Sequence, residues 1–407
     1  MNQEITRTMA AKVLEMSRSF PCVMVTGARQ VGKSTLLKGM LPAGMKYITL
    51  DDERALGRAQ EDPIGFLEEC GRPLCIDEVQ YEPRLLRAIK LKVDETGEPG
   101  QYWLTGSQRF HLMKGVSESL AGRVGIVELY SLSQSEVAGK GSSAEPFYPG
   151  EIRNRLGAPA CEITELYERI WRGGYPRLFR YAETSQEDYF SAYLHTYITR
   201  DVRALTQVGD TAAFMRFMRS VAARSGQQLV FADIARDAEV SPNTAKNWLS
   251  VLETSGVVDI LQPYYVNTSK RLAKSSKVYF ADTGFCAWLG GWDTPRSLMY
   301  GAMAGAILET WAYGQLRRSF ANRGIRPRLS YYRSGNGAEV DFVLEMNGKL
   351  YPIEVKRSSS PKLGDLRAAD TMPLAPGMEL QSGIVLCTAT EILPLGKGNY
   401  AYPISML

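Results

Sequence analysis

The segment that most constrains this chain is VMVTGARQVGKSTLL, at residues 23–37. It reads as an apolar strand, a loop and the beginning of a helix, and the loop fits the pattern G-x-x-x-x-G-K-[ST] with Gly27, Gly32, Lys33 and Ser34. Glycines let main-chain N–H groups approach phosphate oxygens, and the helix N-terminus adds partial positive charge. The lysine would reach the β- and γ-phosphates, and the serine hydroxyl would bind Mg²⁺. The pattern therefore predicts binding of a nucleoside triphosphate.

An acidic pair completes the predicted site. Residues 73–80 read PLCIDEVQ, a buried-strand pattern that ends in Asp77 and Glu78, about 50 residues after the loop. Asp77 would hold the Mg²⁺ shell, and Glu78 would polarise the attacking water. The alternative is a strand that simply runs into an acidic turn. The expected nucleotide contacts on the loop are Gly27, Ala28, Arg29, Gln30, Val31, Gly32, Lys33, Ser34 and Thr35.

A third apolar strand, QYWLTGSQ at residues 101–108, ends in small polar residues. Thr105, Ser107 and Gln108 would sense the γ-phosphate there, and Ser107 is expected to take part in catalysis. The alternative is that these residues cap the next helix.

Composition narrows the class of protein. A chain of 407 residues predicts two to four domains, and six cysteines without a C-x-x-C pair argue against a zinc ribbon or a disulfide framework. They favour a reducing, cytoplasmic location. Two histidines exclude a His-based hydrolase triad and a zinc-protease site. The net charge of +4 is only mildly basic, so any contact with nucleic acid needs a local patch. The uncharged run at residues 299–308 is too short to span a bilayer, so no membrane partner is expected.

The order of strand and helix patterns predicts several domains in an α/β chain. Strands near residues 22–26, 47–50, 74–76, 102–105 and 126–129 alternate with helices, which is typical of a doubly wound parallel sheet. We expect a nucleotide-binding domain at residues 1–138, a helical lid at 139–210, a winged helix-turn-helix at 211–290 and a further domain with strand patterns at 291–407.

Residues 229–262 carry the helix-turn-helix pattern. A helix over residues 231–238 is followed by a turn, a second helix from Asn243 to near Gly256, and an apolar strand. The residues expected to contact DNA are Asn243, Thr244, Lys246 and Asn247 on the second helix and Lys270, Arg271, Lys274 and Lys277 on the wing. The alternative is a module that packs against protein or covers the nucleotide, with a solvated basic loop.

The last hundred residues contain acidic residues on strand patterns. Asp341 lies on one arm of a predicted hairpin, Glu354 and Lys356 share one face of the other arm, and Glu309 lies on an upstream helix. The three carboxylates would bind a divalent metal for phosphodiester hydrolysis, while Lys356, not a ligand, would stabilise developing charge. The alternative is a hairpin in which Lys356 pairs with Asp341 or Glu354, in a domain without activity.

These motifs together resemble one family. GARQVGKST, LCIDEVQ, LTGSQ, SLAGR, GGYP, ITRDV and EVDFVLE…YPIEVK are similar to the bacterial and archaeal AAA-type P-loop ATPases whose C-terminal part is the domain of unknown function DUF4143. The resemblance covers nearly the whole chain. It implies a P-loop ATPase parallel sheet, a helical lid, a winged helix and a restriction-endonuclease-like α/β domain, with ATP and Mg²⁺ as cofactors. It implies hydrolysis of ATP to ADP and phosphate.

Two residues are carried over from the resemblance. Arg123 closes SLAGR, where relatives present an arginine finger to a neighbouring subunit, which implies a homo-oligomer, in the extreme a hexamer-like ring. The alternative is an arginine that satisfies helix carbonyls. Pro176 of GGYP is similar to a proline that lies near the adenine in signalling-type relatives, or it only stops a helix.

Three functions remain open at this point. The first is an ATP-hydrolysing oligomer that binds or remodels DNA, including branched DNA. The second is a nucleotide-gated switch that binds a protein partner. The third is a metal-dependent nuclease regulated by ATP.

Overall fold

The computed structural model describes residues 5–106, 119–155, 160–181, 183–197, 210–266 and 275–407. Its first part contains a parallel sheet of β1 (Cys22–Thr26), β2 (Lys46–Thr49), β3 (Leu74–Asp77), β4 (Tyr102–Thr105) and β5 (Val124–Glu128), in the order β2-β3-β4-β1-β5. The sequence patterns located these strands to within two residues at each end. They could do so because the central strands are wholly buried and therefore read as continuous apolar runs.

Helices cover both faces of this sheet. They are α1 (Ala10–Ser17), α2 (Lys33–Gly39), α3 (Glu53–Glu61), α4 (Pro63–Cys70) and α5 (Arg84–Thr96). Alternate residues of β1 face two separate cores: Cys22 and Met24 pack in one, and Val23 and Val25 in the other. The parallel α/β fold that the sequence predicted is confirmed for this part of the chain.

The helical region that follows is divided by the GGYP segment. Its helices are α6 (Gln134–Val137), α7 (Ile163–Arg172), α8 (Pro176–Arg180) and α9 (Gln186–Tyr197). α7 ends at Gly173, which has φ +75°, and α8 begins at Pro176. A Cβ on Gly173 would lie 2.3 Å from Asp282 Oδ1, and one on Gly174 would lie 2.6 Å from Leu132 O. The two glycines therefore allow a close approach between three segments of the chain.

The next region contains the helices and strand that the helix-turn-helix pattern predicted. Its elements are α10 (Thr211–Ala222), α11 (Phe231–Ala238), α12 (Pro242–Thr254), β6 (Val258–Leu261), β7 (Lys277–Phe280), α13 (Thr283–Leu289) and α14 (Pro295–Tyr300). Ser241 caps α12 by accepting a hydrogen bond from Thr244 N. β6 and β7 pair as antiparallel strands.

The C-terminal region is a mixed sheet beside one long helix, α15 (Ala304–Ala321). Its strands are β8 (Arg328–Arg333), β9 (Glu339–Met346), β10 (Lys349–Val355), β11 (Glu379–Leu380), β12 (Ile384–Cys387), β13 (Leu393–Gly396) and β14 (Asn399–Pro403). The order is β13-β14-β12-β10-β9-β8, with β11 beside β10. Asn347 and Gly348, both with positive φ, form the predicted turn between β9 and β10.

The regions share one continuous core. Tyr264 N donates to Tyr331 O at 2.6 Å, so the chain after β6 joins the edge strand β8 of the C-terminal sheet. A single cluster of buried apolar residues extends from Met9 to Leu407. Among the described residues, no helix has both the length and the apolar character needed to cross a bilayer.

Candidate nucleotide-binding site

The loop between β1 and α2 has the backbone that a phosphate cradle requires. Gly27 has φ +141°, Gln30 has φ +60° and Gly32 has φ +95°. A Cβ on Gly27 would lie 2.1 Å from the main-chain oxygen of Leu129. Only glycine fits at position 27, because both the dihedral angle and the available space exclude a side chain.

Lys33 and Ser34 open α2 as the motif predicts. The Lys33 side chain is buried against its own loop, where Nζ donates to Gly27 O at 3.0 Å and to Ala28 O at 2.8 Å. Ser34 Oγ donates to Asp77 Oδ1 at 3.0 Å. The other predicted contacts, Arg29, Val31 and Thr35, lie on the same loop and first turn.

Asp77 is the centre of a group of hydroxyls at the carboxyl end of β3. Besides Ser34, it accepts hydrogen bonds from Tyr47 OH, at 2.5 Å, and from the Thr105 hydroxyl. Thr105 was expected to sense phosphate or to cap a helix; here it binds Asp77. Burial and the neighbouring Asp77 carboxylate raise the pKa of Tyr47. A hydroxyl beside a carboxylate is the hard-oxygen donor set that suits Mg²⁺, so the residues present fit this cofactor.

Glu78 follows Asp77 with a strained backbone, φ +55° and ψ +44°. Its N–H donates to Thr105 Oγ1 at 3.4 Å, and its carboxylate accepts a hydrogen bond from Gln80 Nε2. Gln80 therefore orients the Glu78 carboxylate directly after β3, and the role of Glu78 in polarising water stays a prediction. Gln80 was not predicted as a site residue, although it lies within the same PLCIDEVQ segment.

Arg7 anchors the phosphate loop from the N-terminal segment. Its Nη1 donates to Val31 O at 2.7 Å, its Nη2 donates to Tyr130 O at 2.6 Å, and its Nε lies 3.1 Å from Glu136 Oε1. The side chain is almost completely buried. No motif marks Arg7, so nothing in the sequence pattern could have revealed this contact.

Later parts of the chain also reach the loop. A Cβ on Gly32 would lie 3.8 Å from Pro176 Cγ, so Pro176 lies beside the loop. Gly256, just after α12, is close enough that a Cβ there would lie 3.5 Å from Ala28 Cβ. Arg317 of α15 forms an ion pair with Asp259 and lies over the Tyr130 ring, 4.8 Å from its centroid. The cavity that Ala28, Tyr130, Gly256, Asp259 and Arg317 help to line has a volume of about 20 Å³.

Arg123 lies at the opposite end of the sheet from the phosphate loop. Its main-chain oxygen accepts from Cys22 N, the first residue of β1, at 3.1 Å, whereas the loop follows the last residue of β1. The exposed guanidinium pairs with Asp94 at 2.5 Å. Arg123 therefore does not reach its own loop, and its role as a finger for a neighbouring copy stays a prediction. Ser107 and Gln108 lie outside the described residues.

Several carboxylates of the C-terminal region lie close together, and they surround the amino group of a buried lysine. Lys277 Nζ lies 2.9 Å from Glu309 Oε1, 2.5 Å from Glu339 Oε1 and 4.0 Å from Asp341 Oδ1. The Lys277 side chain is only 3% exposed. Its predicted role as a DNA-contacting wing residue is therefore wrong, because β7 turns this side chain inwards, towards α15 and β9.

Two carboxylates of the C-terminal region, Glu309 and Glu354, have raised pKa values. Burial, reinforced by Asp341, raises the pKa of Glu309 to about 7 and that of Glu354 to about 8. Lys356 Nζ lies 2.8 Å from Glu354 Oε2, the pairing that the inactive alternative predicted. Within the described residues no group of three or more His, Cys, Asp or Glu is arranged to hold a metal ion. The nuclease-type metal site stays a prediction.

The expected DNA-contacting residues of α12 lie on its first turns. Asn243, Lys246 and Asn247 are exposed, and Thr244 is half-buried, since its N–H and hydroxyl both contact the capping Ser241. Lys270, Arg271 and Lys274 lie outside the described residues.

Three sequence families match this chain. They are an AAA domain at residues 19–138, a domain of unknown function (DUF8612) at residues 163–296 and a domain of unknown function (DUF4143) at residues 304–407. The DUF8612 match spans most of the helical and helix-turn-helix regions and had no counterpart in the sequence analysis.

Similar whole proteins and solved structures are also known. The uncharacterized proteins Rv2008c of Mycobacterium tuberculosis and Mb2031c of Mycobacterium bovis are each 30% identical to it, over 96% of this chain and 85% of theirs. The Thermotoga maritima RuvB Holliday junction branch migration motor is 16% identical over 63% of this chain and 89% of its own, with a TM-score of 0.31. AMPPCP-bound DnaA from Aquifex aeolicus is 14% identical over 60% of this chain and 85% of its own, with a TM-score of 0.29. Likenesses this weak carry no functional argument.

The family matches agree with the motifs. The AAA match contains the phosphate loop, Asp77 and Glu78, and the DUF4143 match contains the carboxylate cluster. The relatives extend this likeness over almost the full chain. The protein belongs to the family of AAA-type P-loop ATPases that carry a C-terminal DUF4143 domain.

Proposed function

We propose that this protein binds ATP with Mg²⁺ at the loop of residues 27–35 and hydrolyses it to ADP and phosphate. The observation that carries the proposal is the group formed by Lys33, Ser34 and Asp77. Ser34 Oγ donates a hydrogen bond to Asp77 Oδ1 at 3.0 Å. The group lies beside a loop whose backbone at position 27 has room only for glycine. The loop offers main-chain N–H groups to phosphate, and Lys33 offers a positive charge.

The remaining residues have distinct tasks. Ser34 and Asp77 would hold Mg²⁺, which would neutralise charge on the phosphates when bound. Glu78 orients the attacking water, and Gln80 and Thr105 fix the position of Glu78 through its carboxylate and its N–H. Arg7 keeps the loop in shape through Val31 O.

The test is ATP turnover together with nucleotide binding. We expect Lys33→Ala to lower turnover by about 100-fold or more, because it removes the charge that faces the phosphates. Glu78→Gln should keep ATP binding and lose turnover by about 100-fold, since the amide no longer accepts a proton from water. Lys349→Ala, an exposed lysine on β10, is the matched control and should turn over ATP normally. Equal turnover in all variants would exclude this site.

We propose DNA as the partner on which this ATPase acts. The support is the exposed polar face on the first turns of α12, with Asn243, Lys246 and Asn247. Because Lys277 is buried, it does not add to this support. The other basic residues expected on the wing, Lys270, Arg271 and Lys274, lie outside the described part of the chain. Lys246→Ala should weaken DNA binding and lower the salt dependence by about one phosphate contact, whatever the DNA sequence. ATP turnover that no linear or branched DNA stimulates would argue against this proposal.

One observation favours a second candidate, a nucleotide-gated switch that binds a protein partner. Gly256 and the Arg317–Asp259 ion pair close the region beside the loop, so nucleotide exchange would be coupled to movement of the later regions. This candidate expects nucleotide that copurifies with the protein, an oligomeric state that differs between ATP and ADP, and no DNA affinity. Size measurements with each nucleotide distinguish the two candidates and also test whether Arg123 acts between copies.

A further inference from the structure

The buried amino group of Lys277 joins two regions of the chain that match different sequence families. Lys277 lies on β7, within the DUF8612 match, whereas Glu309 of α15 and both Glu339 and Asp341 of β9 lie within the DUF4143 match. Lys277 Nζ lies 2.9 Å from Glu309 Oε1, 2.5 Å from Glu339 Oε1 and 4.0 Å from Asp341 Oδ1. Three carboxylates from two elements therefore share one ammonium group.

Hydrogen bonds from neighbouring groups orient the carboxylates towards this ammonium. Glu309 Oε1 also accepts from Tyr279 OH at 2.6 Å. Asp341 Oδ2 accepts from Val355 N at 2.8 Å, and the other oxygen of Asp341, Oδ1, is the one nearest to Lys277 Nζ. The carboxylate oxygens thus surround a single point, and the Lys277 amino group lies at that point.

Carboxylates removed from water need a cation among them, because a buried negative charge without a partner is costly. A divalent metal ion would meet this need with oxygen ligands at about 2.0–2.6 Å. An ammonium group meets it with hydrogen bonds of about 2.7–2.9 Å. The two cations cannot lie at the same point, since their volumes overlap and their charges repel each other.

The carboxylates that the sequence predicted as metal ligands are already paired with lysines. Glu309 and Asp341 face the Lys277 ammonium, and Glu354 Oε2 lies 2.8 Å from Lys356 Nζ. The Lys277 side chain is only 3% exposed, so it does not turn away into solvent without a local rearrangement of the fold. The residues present therefore fit an ammonium group from the chain itself and do not fit an added metal ion.

We propose that the Lys277 ammonium takes the place of a divalent cation between Glu309, Glu339 and Asp341. The DUF4143 region of this chain then has no position for a catalytic metal ion in this cluster, and it does not cleave phosphodiesters there. The ammonium instead fixes β7 to α15 and β9. This proposal is independent of the ATP site, which lies on β1, α2 and β3.

The test is whether removal of the ammonium group opens this position to a metal ion. Lys277→Ala removes both the charge and the volume of the amino group. We expect the nucleotide-free full chain with this change to gain about one Mn²⁺ site, with a Kd of about 1 mM or tighter. Electron paramagnetic resonance of free Mn²⁺ during a titration measures the binding. Adding Asp341→Asn should abolish the new site, because it removes a charged ligand.

Two other lysines provide matched controls. Lys356→Ala removes the amino group that pairs with Glu354, and Lys349→Ala removes an exposed amino group on β10. Neither variant should gain the Mn²⁺ site. Mn²⁺ binding that Asp77→Asn removes belongs to the proposed nucleotide site and is subtracted, so failure of one proposal is distinguished from failure of the other.

Three results would overturn the proposal: wild-type Mn²⁺ binding or Mn²⁺-dependent DNA cleavage that Asp341→Asn abolishes, no new site in Lys277→Ala, or an equal gain in Lys356→Ala. If Lys277→Ala does not fold by itself, refolding is compared in Mn²⁺ and in Na⁺ at equal ionic strength. Recovery of the native circular dichroism spectrum only in Mn²⁺ would support the proposal, because the metal ion then replaces the ammonium group. Failure to refold in both would overturn it.

Discussion

Gly27 is the residue at which backbone geometry and nucleotide binding depend on each other most directly. Its φ of +141° and the Leu129 oxygen, 2.1 Å from a built Cβ, leave no room for alanine. We expect Gly27→Ala to lower the free energy of unfolding by about 2 kcal/mol or more and to abolish ATP binding. Denaturant unfolding and nucleotide titration measure the two effects.

Gly57 offers the matched control for this change. It lies inside α3 without positive φ, and no other described residue beyond its chain neighbours and the backbone of α3 has an atom within 4 Å of the position that a Cβ would take. Gly57→Ala should leave ATP binding unchanged and add about 0.5–1 kcal/mol of stability, because alanine favours a helix. ATP binding by Gly27→Ala at the wild-type level would show that the loop adopts another conformation.

The buried carboxylates predict a pH dependence of stability. Burial and Asp341 raise the pKa of Glu354 from 4.5 to about 8. The folded chain therefore keeps a proton that the unfolded chain releases, so the stability from this group is complete below pH 4.5 and is lost as pH rises towards 8. Glu354→Gln cannot ionise and should be more stable than wild type at pH 8.5 by at least about 1 kcal/mol, but not at pH 4.5.

The measurement is thermal or chemical unfolding of both proteins across this pH range. Glu379→Gln, at an exposed position on β11, is the control and should follow the wild-type curve. A constant difference between Glu354→Gln and wild type at every pH would mean that Glu354 ionises normally in the folded protein.

At the scale of secondary-structure elements, local sequence patterns predicted those elements whose burial and bounds follow from their own residues. β1 and the loop after it could be read from one apolar run and two glycines, and α11 was located at its observed bounds. β13 and β14 were not predicted, because they are short, and β13 in particular is half-exposed. Lys277 was misplaced because its carboxylate partners lie 32 and more residues later, beyond the reach of any local pattern.

The GGYP segment shows how one buried side chain can join two elements. Asp282 caps α13 through Oδ1, which accepts from Gly284 N and Phe285 N, while Oδ2 accepts from Gly174 N at 2.8 Å. Asp282→Ala would leave three N–H groups without this acceptor, two of them in the first turn of α13. We expect it to lower the free energy of unfolding by about 2–4 kcal/mol.

Asp52 is the matched cap for this comparison. Among the described residues, it accepts a side-chain hydrogen bond only from Arg54 N, at the exposed start of α3. Asp52→Ala should cost about 1 kcal/mol, so unfolding experiments on the two variants separate an ordinary cap from one that also fixes a neighbouring segment. Equal losses would mean that the contact to Gly174 contributes nothing.

At the scale of the whole molecule, the nucleotide site is assembled from segments that are far apart in sequence. The loop contacts Arg7 on one side and lies beside Pro176 and Gly256 on the other. α15, within the DUF4143 region, reaches the same place through Arg317. Nucleotide binding in the AAA domain should therefore depend on residues of the C-terminal region.

The Arg317–Asp259 pair tests this dependence. Both side chains are mostly buried, at 22% and 16% exposure, and together they bridge α15 and β6 beside Tyr130. Arg317→Gln and Asp259→Asn should each speed the release of a fluorescent ADP analogue about fivefold, equivalent to about 1 kcal/mol. The double variant should release it no faster than either single variant, because both changes remove the same contact. Arg328→Gln, which breaks the exposed pair with Glu345, should not alter release. Additive effects of the two changes would show that the residues act independently, and unchanged release would show that the C-terminal region does not control the site.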